Sequence, residues 1–345
     1  MSIGKFKYFG AYIVPLLCLL TFYSTGWIAW IGIAVIYGVI PLLEVILEPD
    51  RANLSTSEKE LIKEDAFYDW VIFLLVPVHL ALIYVFLTTI SEPDLVLSDQ
   101  IARVLMMGLL LGFLGINLGH DLGHKTQDWL KQFLAQLMLT TAVQNHFVPY
   151  HNGGHHRDVG TPADLTSARK GESFYPFALK SQIGGYFKTW SLEAKRLRAQ
   201  GKSTWYNPMI LYTALPLMLL MGIYFFFGGF VLLCYFLAAV FGISLLEAQN
   251  YFAHYGLRRA KRPDGTYERV SPKHSWNSDH LIGRVLLFEL TRHSDHHHSG
   301  SKAYQVLDSK EESPMLPFGY PAMLLLSYLP FLFKPIMNRQ LKKYA

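Results

Sequence analysis

Residues 101–125 read IARVLMMGLLLGFLGINLGHDLGHK, an apolar run interrupted only by Arg103 that passes without a break into two histidines four apart. A helix needs roughly 20 apolar residues to cross a bilayer core, and this one ends where His120 and His124 fall on one helix face. Five more runs of the same kind lie around it. Together they place spans at 8–25, 27–47, 70–90, 101–119, 208–227 and 230–247. The composition agrees, with 51% hydrophobic and 17% charged residues in 345, against roughly a quarter charged in soluble domains.

Charge is distributed unevenly. The turns at 24–26, 91–100 and 228–229 are short or acidic, and of all the lysines and arginines only Arg103 falls on their side. The positive-inside rule then puts both termini and the long segments 120–207 and 248–345 in the cytoplasm. Lys5 and Lys7 precede the first run, but a second run follows at once, so 8–25 reads as a retained span rather than a cleaved signal. The apolar stretch 316–335 carries Pro317, Pro321, Pro330 and Pro335 and is expected to pack at the interface or on the cytoplasmic part. The expected fold class is all-α integral membrane: six transmembrane helices and a cytoplasmic helical cap, forming one domain over 1–345.

Cys18 and Cys234 both sit in apolar runs and form no CxxC pair, which excludes a thiolate zinc site or an iron–sulfur motif. No basic stripe interleaved with aromatics points to nucleic acid.

Fourteen histidines are present, and most fall at span ends. His120 and His124 form an HxxxH pair. His151, His155 and His156 form HxxxHH, in which adjacent histidines on a helix point about 100° apart and can address two different ions. His293, His296 and His297 form HxxHH. His254 closes NYFAH at the end of the sixth span. His79 reads as a satisfied core histidine, while His146, His274, His280 and His298 read either way. Structural zinc takes four ligands and catalytic zinc three, whereas these boxes offer eight or nine. That count suits two ions with four or five imidazoles each, and imidazoles with open positions for oxygen favour iron over the zinc and copper that imidazole also binds. Asp121, Asp279 and Asp295 lie close enough in sequence to orient ligand imidazoles through their second nitrogen.

HDLGHK, HNGGHHRDVGTPADLTSARKGESFYPF, NYFAHYGLRR, SWNSDH and LTRHSDHHH, in that order, resemble the bacterial alkane 1-monooxygenases, in the membrane fatty-acid desaturase and hydroxylase superfamily. The resemblance covers roughly 120–326. It implies nine ligands to two iron ions: His120, His124, His151, His155, His156, His254, His293, His296 and His297. The spacing alone supports eight, and the resemblance adds His254. It further implies O₂-dependent hydroxylation of the terminal carbon of an alkane, in a bacterial inner membrane. Electrons would come from rubredoxin, or a ferredoxin-type donor, with an NAD(P)H-dependent reductase. Arg157, Arg258, Arg259, Lys261 and Arg262 form a basic face that such an acidic donor would meet. Three positions depart from the family pattern: Asp121 and Ala253 stand where it has Glu, and Tyr150 where it usually has Glu. Xylene-type methyl hydroxylases and acyl-lipid desaturases share the site type. A histidine-lined metal transporter is the rival from another class, and it would need ligands near the bilayer midplane.

Overall fold

The computed structural model describes residues 3–344, and within them the chain is helical. Its β-like pairings there are two isolated bridges, Lys261 with Tyr267 and Asn277 with Met315. Five helices are long and apolar enough to cross a membrane: Gly4–Tyr23 (α1), Gly26–Ile46 (α2), Phe67–Thr89, Leu97–Gly123 and Thr204–His254. Between the second and third lies α3 (Thr56–Lys63), opened by a capping box in which Ser55 and Glu58 satisfy each other's backbone N–H. Phe67–Thr89 is then α4 and Leu97–Gly123 is α5.

The last of these helices holds the regular run Met209–His254. At about 1.5 Å per residue it is roughly twice a bilayer in length. It does not continue straight. Gly228 has φ 87° and ψ 172°, a conformation open to glycine and essentially closed to other residues, and it divides the run into two. This is where the sequence places its shortest turn, so the structure is compatible with six crossings.

Two helices run beyond the expected spans. The fourth and sixth spans were expected to end at Gly119 and Glu247, but their helices continue to Gly123 and His254. Hydrogen bonding within a helix carries on past the apolar limit at no cost, so span ends themselves carry His120 and His254.

Close backbone approach fixes these two helices against each other. A Cβ added at Gly108 would lie 2.7 Å from the Ala238 carbonyl oxygen, and one at Gly242 would lie 2.9 Å from the Gly108 oxygen. Small residues that let backbones touch are the usual device for helix packing in lipid. Along the outer side, Leu217, Met218, Phe225, Phe226, Phe230 and Leu233 are exposed, as expected of a surface solvated by lipid tails.

At the end with the short turns, Arg103 is buried. It donates to the Thr89 carbonyl at 2.6 Å and pairs with Glu92 at 3.1 Å. Asp99 accepts from the Gly26 backbone at 2.8 Å. The one cation on that side thus ties neighbouring turns together.

Beyond His120 the chain does something the apolar runs did not announce. Trp129–Thr141 (α6), capped by Asp128, folds back along α5 and reaches the level of His79, midway along α4. There Thr141 Oγ1 meets His79 Nε2 at 2.9 Å, and the Thr141 carbonyl accepts from Tyr235 at 2.6 Å. Thirteen residues are too few to cross a bilayer. The segment after His120 therefore re-enters the helical bundle. Phe174–Ala199 (α7) follows, with Tyr175, Leu179, Ile183 and Phe187 exposed at four-residue intervals. Such a stripe beside lysines and arginines suits a helix lying in the membrane interface. With Met209–His254 as α8, the tail adds α9 (His293–His298), α10 (Tyr320–Ser327) and α11 (Pro330–Leu341). The proline-rich stretch 316–335 thus holds short helices, the first of them, α10, packed against α8.

Candidate metal centre

Nine imidazoles converge at one end of the bundle. α5 brings His120 and His124, α8 brings His254, α9 brings His293, His296 and His297, and the turn after α6 brings His151, His155 and His156. These are the nine residues named from the sequence, and they form two sets. Nitrogens of His120, His124, His151, His156 and His296 all lie within 4.8 Å of one another, as do those of His155, His254 and His297. His293 joins the smaller set, with its Nε2 3.2 Å from that of His254 and 3.0 Å from that of His297.

The second box shows how local structure sorts the ligands. His151–His155 forms a π-helical turn, which has more residues per turn than an α-helix. It aligns His151 with His156, whose Nε2 atoms are 2.8 Å apart, and sends His155 to the other set. In α9, ordinary helical geometry likewise sends the neighbours His296 and His297 to different sets.

Few of these nitrogens have any other partner. His155 Nε2 is buried and without a hydrogen-bond partner, and Nε2 atoms of five different histidines approach one another at 2.8–3.5 Å. Burial, reinforced by the neighbouring imidazoles, pushes His151, His156, His293, His296 and His297 well below the usual histidine range. They are therefore neutral, the form that binds metal. Converging neutral imidazoles with free lone pairs fit transition-metal ions, and no thiolate joins them.

The carboxylates fall differently from expectation. Asp121 lines a cleft with Lys125 and Lys131. Asp279 accepts from Ser309 at 2.6 Å and lies 3.4 Å from Arg292. Asp295 pairs with Lys302 at 2.6 Å and accepts from the Asp308 backbone. None of the three hydrogen-bonds a box imidazole. Asp164 does, with Oδ2 2.8 Å from His155 Nδ1. Burial opposes its ionisation, but His155 and the Ser167 hydroxyl at 2.6 Å outweigh that and hold its carboxyl below the usual range. Thr166 and Tyr150 also hydrogen-bond Asp164. The sequence carried no signal for it, since Asp164 shares its loop with Asp158 and looks no different there. His79, His274 and His280 have side-chain partners away from the centre, namely Thr141, Glu268 and Ser278. His146 is buried near the centre without joining either set.

An apolar slot leads to the histidines. Phe113, Ile116, Leu245, Leu287, Leu290 and Leu324 line it, with Asn117, Gln249 and Asn250 among them, and His120, His151 and His293 border it. It is thus open to both sets.

Known proteins are similar to this chain in sequence. The fatty acid desaturase family model matches residues 100–326. An alkane 1-monooxygenase of Alcanivorax borkumensis is 36% identical over 339 residues, which is 96% of this chain and 82% of that protein. One from Pseudomonas putida is 34% identical over 330 residues, 93% of this chain and 81% of the relative. The hydroxylase component of a xylene/toluene monooxygenase from Pseudomonas putida is 28% identical over 341 residues, 96% and 89% of the two chains. Multi-pass helices, histidines gathered at their ends and these likenesses converge on one conclusion: the chain belongs to the alkane 1-monooxygenase family, membrane oxidoreductases within the wider fatty acid desaturase family.

Proposed function

We propose that this protein hydroxylates the terminal carbon of an alkane to a primary alcohol, by the balance RH + O₂ + 2e⁻ + 2H⁺ → ROH + H₂O. The observation that carries the reading is the apolar slot ending on imidazoles of both sets. A hydrocarbon offers no group to grip, so recognition has to come from shape and exclusion of water. Phe113, Ile116, Leu245, Leu287 and Leu290 hold the chain by contact alone and aim its end at the histidines, which turns a diffusive encounter into a positioned one.

His120, His124, His151, His156 and His296 would hold one iron, and His155, His254, His293 and His297 a second. When bound, these irons supply the oxygen activation that no side chain can perform. Asp164 fixes the ring orientation and tautomer of His155 through Nδ1, leaving Nε2 for metal. Asp121, Asp279 and Asp295 act at greater remove, by steadying the loops that carry the boxes.

Six crossings with both termini cytoplasmic put the centre at the cytoplasmic face of a bacterial inner membrane, the side on which Arg157, Arg258, Arg259, Lys261 and Arg262 gather. An acidic rubredoxin would dock there, with its reductase behind it. Arg259 is already engaged with the Arg157 and Glu268 carbonyls, which leaves Arg258, Lys261 and Arg262 as the freer charges.

The test is metal analysis of the purified protein, followed by octane turnover with a rubredoxin system under labelled O₂. About two irons per chain and labelled 1-octanol are expected. Two irons with labelled benzylic alcohol from xylene but no octanol would move the substrate to methylarenes, the class named for the xylene/toluene relative. An alkene from an acyl chain would move it to desaturation. Zinc or no metal would overturn the centre.

A further inference from the structure

A second cavity reaches the histidines, and its walls are polar. It shares Phe147, His151, Leu246 and Asn250 with the apolar slot, and adds Gln144, His146, Tyr150, Ser181, Gln182 and Glu247. Gln144 is 1% exposed with both amide atoms unpaired, and Glu247 is 3% exposed with Oε2 unpaired. Each such group left dry would cost on the order of 1–3 kcal/mol. The cavity between them, about 10 Å³, has room for about one water to satisfy them. Glu247 is a buried ionisable group at the end of an apolar span, where such groups are rare and usually functional.

The cavity also has a way out. His146 and Gln182 line it and also a groove of about 320 Å³ between α7 and the start of α8, walled by Ile183, Tyr186, Tyr212 and Thr213. Tyr186 hydroxyl meets Thr213 Oγ1 at 2.8 Å, and the His146 ring stands edge-on to Tyr186 at 5.4 Å. Tyr212 and Thr213 lie in the first turns of α8 beside α7, and Pro216, Leu217 and Leu220 complete the largely apolar outer walls of the groove. The turn presenting Gln144 and His146 is held at a cost, since Val143 has φ 59°, a conformation β-branched residues avoid.

We propose that this cavity is a hydrated inlet delivering the protons of the reaction to the histidine centre, with Glu247 as their internal carrier. The proposal rests on the monooxygenase reading. Each turnover consumes two protons, both of which end in the water formed from the second oxygen atom. The apolar slot is lined mainly by hydrocarbon side chains, with Asn117, Gln249 and Asn250 as its polar exceptions, and it holds no carboxylate. Protons enter at the groove, pass His146 and Gln182, and reload Glu247 after each release toward the centre. Separate routes let the hydrocarbon path stay dry while the proton path stays wet.

The experiment is Glu247→Gln in the full-length, metal-loaded protein. Expected are a kcat lowered about tenfold or more, an unchanged KM for the alkane, unchanged metal content and a raised solvent deuterium isotope effect. Infrared spectroscopy supplies a readout apart from turnover. Wild-type protein should show a carboxylic C=O band that shifts in D₂O and is absent from the variant. Gln182→Leu, which keeps Glu247 and narrows the junction, should slow that shift. Wild-type kcat and isotope effect in Glu247→Gln would overturn the proposal, as would a Glu247 band that never exchanges or an exchange rate indifferent to Gln182→Leu. Metal-loaded wild type that yields no oxygenated product would fail the monooxygenase reading, while the infrared exchange would still decide the hydration of the inlet.

Discussion

The two histidine sets differ in numbers and in surroundings. The larger, with five imidazoles, includes the two partly exposed rings, His124 and His156. The smaller is wholly buried and is backed by Asp164, itself hydrogen-bonded by Ser167, Thr166 and Tyr150. One set is secured by surplus ligands, the other by the support behind a ligand. The same local rule builds both, because neighbouring histidines on a helix diverge, and His155/His156 and His296/His297 each contribute one member to either side.

If that contrast is right, removing a ligand from the smaller set is the most damaging single change. His155→Ala should lower metal content from two to about one per chain and abolish turnover. Metal analysis beside an activity assay reads both, and full retention of two metals would erase the distinction between the sets. Asp164→Asn should rank next, weakening metal affinity by about 10–100-fold while leaving the fold intact; chelator competition measures it. His124→Ala should do less than His155→Ala, since four imidazoles remain in its set. An equal loss would show that the fifth ligand is required rather than surplus. The smallest effect is expected from charge reversal at Arg258 with Lys261, which should slow electron transfer at low salt and converge with wild type as salt rises. Stopped-flow reduction at two ionic strengths would reveal it, and unchanged rates at low salt would remove this face as the docking site.

Much of this was legible in the residues. Apolar length located the crossing helices, and the spacing of His120/His124, His151/His155/His156 and His293/His296/His297 gathered the centre, because periodicity is a local property. Asp164 was not legible. Its approach to His155 depends on how the loop 159–167 folds, and nothing in its immediate neighbours distinguishes it from Asp158. Asp295 is the converse case, adjacent to the ligands in sequence yet turned away to Lys302. The return of α6 escaped for a different reason. WLKQFLAQLMLTT is too short and too mixed to announce a membrane segment, and only tertiary packing against Gly115 and Gly119 draws it inward. Glu247 sat in plain view inside an apolar run, and what it needed was the knowledge that Gln144 and His146 face it from a turn a hundred residues away.

The π-helical turn at His151–His155 makes the spacing of that box behave like a reading frame. Were the turn to close to ordinary α geometry at its present length, His155 would take the place of His156 on the face of His151 and offer each set the other's ligand. Deleting Gly153 or Gly154 at the same time would restore the match, because His156 would then follow His151 by four. Length and turn geometry have to change together for the box to keep both sets.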